Sequence, residues 1–143
     1  MTEVPDPETV KTFNNNVADE FRANGGKVGG QFAGHNLLLL ATTGAKSGQP
    51  RLSPLAYLTV DDKLVIVAGY GGADINPAWV HNLRANPAAH IEIGTESLDV
   101  VAQELAPAER EEIILKITEI APIFAEMQAK TSRVIPIFHL QKA

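Results

Sequence analysis

Apolar positions along the chain change their spacing after the first two dozen residues. Val10, Phe13, Val17 and Phe21 recur at helical spacing, with Lys11, Asn14, Asp19 and Arg22 on the remaining surface. This predicts a helix over 10–24, ending at Asn24-Gly25-Gly26, where glycine serves as a C-terminal cap. Residues 1–9, polar and acidic with Pro5 and Pro7, are expected to be flexible. From Leu37 the pattern turns to short β-branched or apolar runs between turns, with strands expected over 37–43, 51–60, 64–69, 88–93 and 96–105. Asp61-Asp62-Lys63 is short enough to make the second and third of these a hairpin.

A glycine-rich loop opens at Tyr70-Gly71-Gly72 and leads into a short helix over 78–85, with Asn76 as N-cap and Pro77 at its first position. Pro107 starts a further helix, with Glu109, Glu111 and Glu112 near its positive end. Pro122 interrupts it, and a shorter helix continues towards Lys130. Val134 to Leu140 reads as a last strand, which Pro136 places at an edge or a bulge. Residues 1–143 therefore form a single α+β domain, a barrel or roll of antiparallel strands with inserted helices.

At 143 residues the chain can bury a core without covalent staples. A net charge of −5 and a pI near 5.3 argue against nucleic-acid binding, which needs a broad basic face. The absence of cysteine removes disulfides, thiolate ligands and thiol nucleophiles, and fits a reducing cytoplasm. The first residues are unlike a signal peptide, and Leu37 to Ala41 is too short to span a bilayer. A cytoplasmic protein is expected, with peripheral membrane contact through the amphipathic first helix left open. His35, His81, His90 and His139 are scattered without ligand spacing, so no metal site is expected. Ser47, Ser53, Ser97 and Ser132 lie outside any nucleophile elbow.

Charge is not evenly spread. From Phe21 to Val60 there is no Asp or Glu, in a chain with 17, while Arg22, Lys27, Lys46 and Arg51 all fall inside. At the centre lies Thr42-Thr43-Gly44-Ala45-Lys46-Ser47-Gly48-Gln49-Pro50-Arg51. Its cations, hydroxyls and glycines suit an anion held by backbone N–H groups and positive side chains. It is not a nucleotide P-loop, because Ala45 stands where a glycine should precede the lysine. A second candidate is Asn76-Pro77-Ala78-Trp79-Val80-His81-Asn82-Leu83, where an indole and an amide one turn apart could orient a planar ring. His81 reads as a surface residue, and Lys130-Thr131-Ser132-Arg133 as a small cationic loop before the last strand.

Together these segments resemble the deazaflavin-dependent nitroreductase family of actinobacteria. The runs that carry the resemblance are Glu20 to Gly30, Leu37 to Arg51 with Ser53-Pro54-Leu55, Asn76 to Pro87, and Gln128 to Pro136. The resemblance implies a split β-barrel of the flavin-reductase and pyridoxamine-phosphate-oxidase kind. It implies coenzyme F420, an 8-hydroxy-5-deazaflavin with a phosphodiester and an oligoglutamate tail. By this likeness Lys46, Arg51 and the Ser47-Gly48-Gln49 backbone would hold the phosphate. Pro54, Ala68, Gly69, Trp79 and Asn82 would line the ring and its ribityl chain, with Lys27 and Arg22 on the tail. Ala121, Phe124 and Met127 would line the acceptor pocket, at positions where members that reduce nitroimidazoles carry tyrosines. A serine–lysine pair of the family is replaced by Gly69-Tyr70, and a cation before Lys46 by Ala45.

The implied activity is hydride transfer from reduced F420 to an electron-poor acceptor, a quinone, enone or nitro compound. Tyr57, Tyr70 or solvent would give the accompanying proton. The alternatives are an FMN-binding oxidoreductase on the same barrel and a non-catalytic deazaflavin carrier. A homodimer is expected by analogy with other split barrels.

Overall fold

The computed structural model describes residues 7–29, 36–69 and 75–143. Tyr70, His35 and the segments 1–6, 30–35 and 70–74 lie outside the described residues. The elements are α1 (Pro7–Ala23), β1 (Leu37–Thr43), β2 (Pro50–Ala56), β3 (Leu58–Val60), β4 (Lys63–Val67), α2 (Ala78–Ala85), β5 (Ala88–Ile93), β6 (Glu96–Glu104), α3 (Pro107–Ile120), α4 (Ile123–Ala129) and β7 (Ile137–Lys142).

All strands pair antiparallel in one seven-stranded sheet of order β2-β1-β5-β6-β7-β4-β3. Its two edges are halves of one segment. The strand expected over 51–60 breaks at Tyr57, whose N–H donates to the carbonyl of Asn36 at 3.0 Å. The sheet therefore curls back on itself. Following the pairing from Leu52 through Ala41, His90 and Asp99 and on across β7 and β4 returns to the β2–β3 segment about ten residues further along. Such a stagger belongs to strands tilted around a barrel. The fold is a split β-barrel, as the resemblance implies, with four helices among the described residues.

Leu37 to Leu40 are all buried because both faces of β1 are covered. Leu38 and Leu40 join the barrel core with Ile66, Val80, Ile91 and Phe138, while Leu37 and Leu39 meet Ala18 and Phe21 of α1. The C-terminal half of α1's apolar face is thus spent on the sheet, while Phe13 stays exposed. α3 covers a second core, placing Ile113 and Ile117 against Val60, Val65 and Ile137. Asp61 and Asp62 take φ of 51° and 64°, the left-handed pair that a tight two-residue hairpin requires.

Besides the broken 51–60 strand, and residues 7–9, which begin α1 where flexibility was expected, two further expectations fail. Asn76 does not cap α2. Pro77 occupies the cap position with no side-chain bond, and Asn76 Oδ1 instead accepts from Arg133 Nη1 at 2.8 Å. β7 is not an edge strand but lies between β6 and β4. Pro136 is tolerated because it precedes the ladder, where its carbonyl accepts the N–H of Ala68 at 2.9 Å.

With every pairing antiparallel, β1, β4 and β6 end, and β2, β5 and β7 begin, at the same end of the barrel. That end gathers most of the chemistry.

Candidate functional site at one end of the barrel

The cationic stretch is the connection between β1 and β2. Gly44 N–H donates to Gln49 O at 2.8 Å and Gly48 N–H to Gly44 O at 3.0 Å. Gly48 sits at φ 69°, which favours glycine. Ser47 Oγ accepts from Gln49 N–H at 3.2 Å and lies 3.4 Å from Arg51 Nη2. Lys46 and Arg51 are exposed. Among the described residues neither has a carboxylate partner, and the N–H groups of Lys46 and Ser47 meet no acceptor. Arg22, Arg84 and Lys116, by contrast, each pair with an acid. Two uncompensated cations and two open N–H groups on a tight turn match the donor set an anion needs.

α2 fixes this turn from beneath. Asn82, 6 % exposed, accepts from Ala45 N–H through Oδ1 at 2.9 Å and donates from Nδ2 to Thr42 Oγ1 at 3.1 Å. Its polar atoms serve the turn, where the sequence reading had put them on a ligand. Trp79, 5 % exposed, is likewise a core residue, edge-on to Phe138 with ring centroids 5.7 Å apart. The alternation of α2 faces explains both, since Trp79, Val80, Asn82 and Leu83 form its inward side. Arg84 anchors the helix's last turn with a bidentate bond to Glu104, 2.8 Å on each arm, which holds the Glu104 carboxyl below its ordinary range.

Ala68 and Gly69 follow β4 at the same end. Ala68 is buried in the barrel core, and its main-chain groups are bonded to Pro136 O and Arg133 Nη2. Met127 lies directly on Gly69: a β-carbon there would stand 2.7 Å from Met127 Cε and Sδ. Cofactor-side and acceptor-side expectations thus converge at this glycine. Phe124 packs on the second core, and Ala121 ends α3 with its N–H on Ile117 O at 2.7 Å. Pro54 is half-buried on β2, opposite Leu39.

Other residues are elsewhere. Lys27 and Tyr57 line an open cleft of 840 Å³ with Glu20, Asn36 and Gly94. It lies at the opposite end of β1, about 20 Å from the turn at roughly 3.3 Å per residue. Lys27 and Lys46 therefore stand near opposite ends of β1. Arg22 is occupied by Glu92, at 3.0 and 2.7 Å, and this pairing lowers the carboxyl's pKa. Among the described residues no cluster of His, Asp or Glu could hold a metal, and no helix is long and apolar enough to cross a membrane.

Arg133 went unrecognised in the sequence as a site residue. It donates to Ala68 O at 3.0 Å, Gly69 O at 2.8 Å and Asn76 Oδ1 at 2.8 Å. The only sequence signal was its place in the closing segment of the family resemblance.

Residues 14–142 match the model of the F420H(2)-dependent quinone reductase family. An F420H(2)-dependent quinone reductase of Mycobacterium tuberculosis is 35 % identical over 128 residues, covering 85 % of each chain. A solved F420-H2 dependent reductase, FDR-A, superposes with a TM-score of 0.65 at 39 % identity, over 74 % of this chain and 94 % of that one. A structure described as a domain-swapped dimer gives 0.68 at 33 % identity, over 94 % and 98 %.

Proposed function

The chain belongs to the F420H(2)-dependent quinone reductase family, with coenzyme F420 as cofactor, and from that premise we propose that it reduces a quinone and grips the coenzyme's anionic part with the β1–β2 turn. The observation that carries the turn assignment is the meeting of two acid-free cations with open backbone N–H groups on one tight turn. Arg22, Arg84 and Lys116 are neutralised by acids, whereas Lys46 and Arg51 stand without one beside the open N–H groups of Lys46 and Ser47.

When bound, the reduced deazaflavin supplies a hydride for the acceptor. Lys46, Arg51 and the open N–H groups of Lys46 and Ser47 hold the phosphate, the N–H groups of Gly48 and Gln49 being spent within the turn, and Asn82 keeps that turn in shape from the core. Pro54, Ala68 and Gly69 line the ring, the last two through their main chain. Met127, with Phe124 and Ala121, makes the acceptor side apolar, which suits a quinone and excludes water from the transfer. A quinone also takes up a proton, and none of these three side chains can donate one. Tyr57 lines the opposite cleft, which leaves Tyr70 or solvent to supply it.

The test is titration with oxidised F420 and with FMN in parallel, followed by reduced-coenzyme turnover against a soluble quinone, an enone and a nitro compound. Selective F420 binding with turnover of the quinone is expected. Preference for FMN, or tight F420 binding with no acceptor reduced, would overturn the proposal in favour of the flavin enzyme or the carrier. A homodimer completes the proposal, supported by the relative described as a domain-swapped dimer, and light scattering reads it.

A further inference from the structure

The loop before β7 looks in sequence like a solvated basic patch. In the structure its last cation turns inward, and everything around it is built to aim it. Arg133 N–H donates to Thr131 Oγ1 at 3.2 Å, and its carbonyl accepts from Gln128 Nε2 at 2.7 Å. Gln128 Oε1 in turn accepts from Arg110 Nη2 at 2.9 Å and Ile135 N–H at 3.1 Å, and Arg110 Nε donates to Ile135 O at 2.9 Å. α3 and α4 thus hold the linker through Arg110 and Gln128, and the linker holds the arginine.

Among the described residues the guanidinium then spans three acceptors on the far side. Nη2 donates to the carbonyls of Ala68 and Gly69, and Nη1 to Asn76 Oδ1. Ala68 is tied a second time, its N–H donating to Pro136 O at 2.9 Å. Met127, from α4, presses on Gly69. The short main-chain segment after β4 is therefore clamped by one arginine, one backbone bond and one thioether, all delivered by residues 127–136. An ammonium could not reproduce this fork, because its donors converge on a point.

We propose that Arg133 is a positioning residue for the reduction, setting the Ala68–Gly69 main chain against which coenzyme ring and acceptor are aligned. This rests on the proposed site at this end of the barrel. A displacement of about 1 Å at such a position lowers a transfer rate by up to roughly a hundredfold, because the reacting atoms no longer meet at attack distance.

The experiment uses Arg133→Lys and Arg133→Met in the full chain. Three readouts are taken: thermal unfolding, F420 affinity with kcat and KM for a soluble quinone, and amide exchange at Ala68 without coenzyme. For the folded variants the expectation is a kcat at least tenfold lower with coenzyme affinity changed less than fivefold, and faster exchange at Ala68. Arg133→Lys should resemble Arg133→Met in kcat while melting closer to the parent. Wild-type kcat at saturating coenzyme in either variant, even with a lowered Tm, would leave Arg133 a purely structural residue and overturn the proposal. If the parent neither binds F420 nor reduces a quinone, the functional reading falls and the positioning role falls with it. Exchange at Ala68 then separately judges the clamp: unchanged exchange removes that too.

Discussion

Asn82→Ala tests how the candidate site is built. The amide is buried and makes two neutral hydrogen bonds, at 2.9 Å to Ala45 N–H and 3.1 Å to Thr42 Oγ1. Losing both, and leaving the buried Thr42 hydroxyl without that partner, should cost about 2–3 kcal/mol. For a domain of this size that is a fall in Tm of roughly 6–12 °C. The ligand effect is separate. A turn no longer pinned at Ala45 must be ordered on binding, and fixing even one residue costs about 1–2 kcal/mol, or roughly a tenfold loss of F420 affinity. Asn82→Asp sharpens the test. It keeps the shape but buries a negative charge under the turn, so its affinity loss should exceed that of Asn82→Ala. The assay is thermal unfolding read by Trp79 fluorescence, followed by coenzyme titration. Parent-like melting and affinity in Asn82→Ala would refute the idea that this amide holds the turn.

Other expectations concern the turn and the pH response. Lys46→Ala should weaken F420 binding by one to two decades, about 1.5–3 kcal/mol for a charge-assisted contact, and flatten its salt dependence, with little change in Tm; titration at two ionic strengths checks this. Gly44→Ala would bring a β-carbon 2.5 Å from Ser47 Oγ and 3.2 Å from Gln49 O, so it should destabilise the chain and weaken binding. Adding Ser47→Ala should restore part of the lost stability, which a double-mutant cycle of unfolding free energies measures. Burial, then nearby Lys63, lowers the pKa of His139 from 6.5. Because the folded state prefers the neutral ring, this stability is complete above pH 6.5 and fades as pH falls through the lower folded value. His139→Gln should therefore show a flatter stability profile over that window in denaturant titrations.

The sequence was most legible where punctuation is strong. Pro77 and Asn86-Pro87 bracket α2, and Gly94 separates β5 from β6, so these boundaries fell where expected. Tyr57 carried no such mark: a strand that bends to close a barrel keeps its apolar pattern through the bend. The cationic turn was readable because its composition differs from the rest of an acidic chain. The roles of Trp79 and Asn82 were not, since the same side chains serve equally as a ligand platform or as the wall behind one. Arg22 and Arg133 fail for a different reason. Their partners lie 70 residues away at Glu92 and 65 and 64 residues away at Ala68 and Gly69, and spacing along a chain does not announce such meetings.

The position of β7 bears on how the chain reaches this state. Without that strand the sheet is two pieces, β2-β1-β5-β6 and the β3-β4 hairpin, with no backbone ladder between them. A chain emerging from the ribosome can form the first piece early, but both pieces expose raw edges until residues 137–142 arrive to zip them together. Closure of the barrel thus waits on residues 137–142 and is governed by long-range pairing, which makes it correspondingly slow. In that interval a β7 from a second copy would fit the open seam as well as the chain's own.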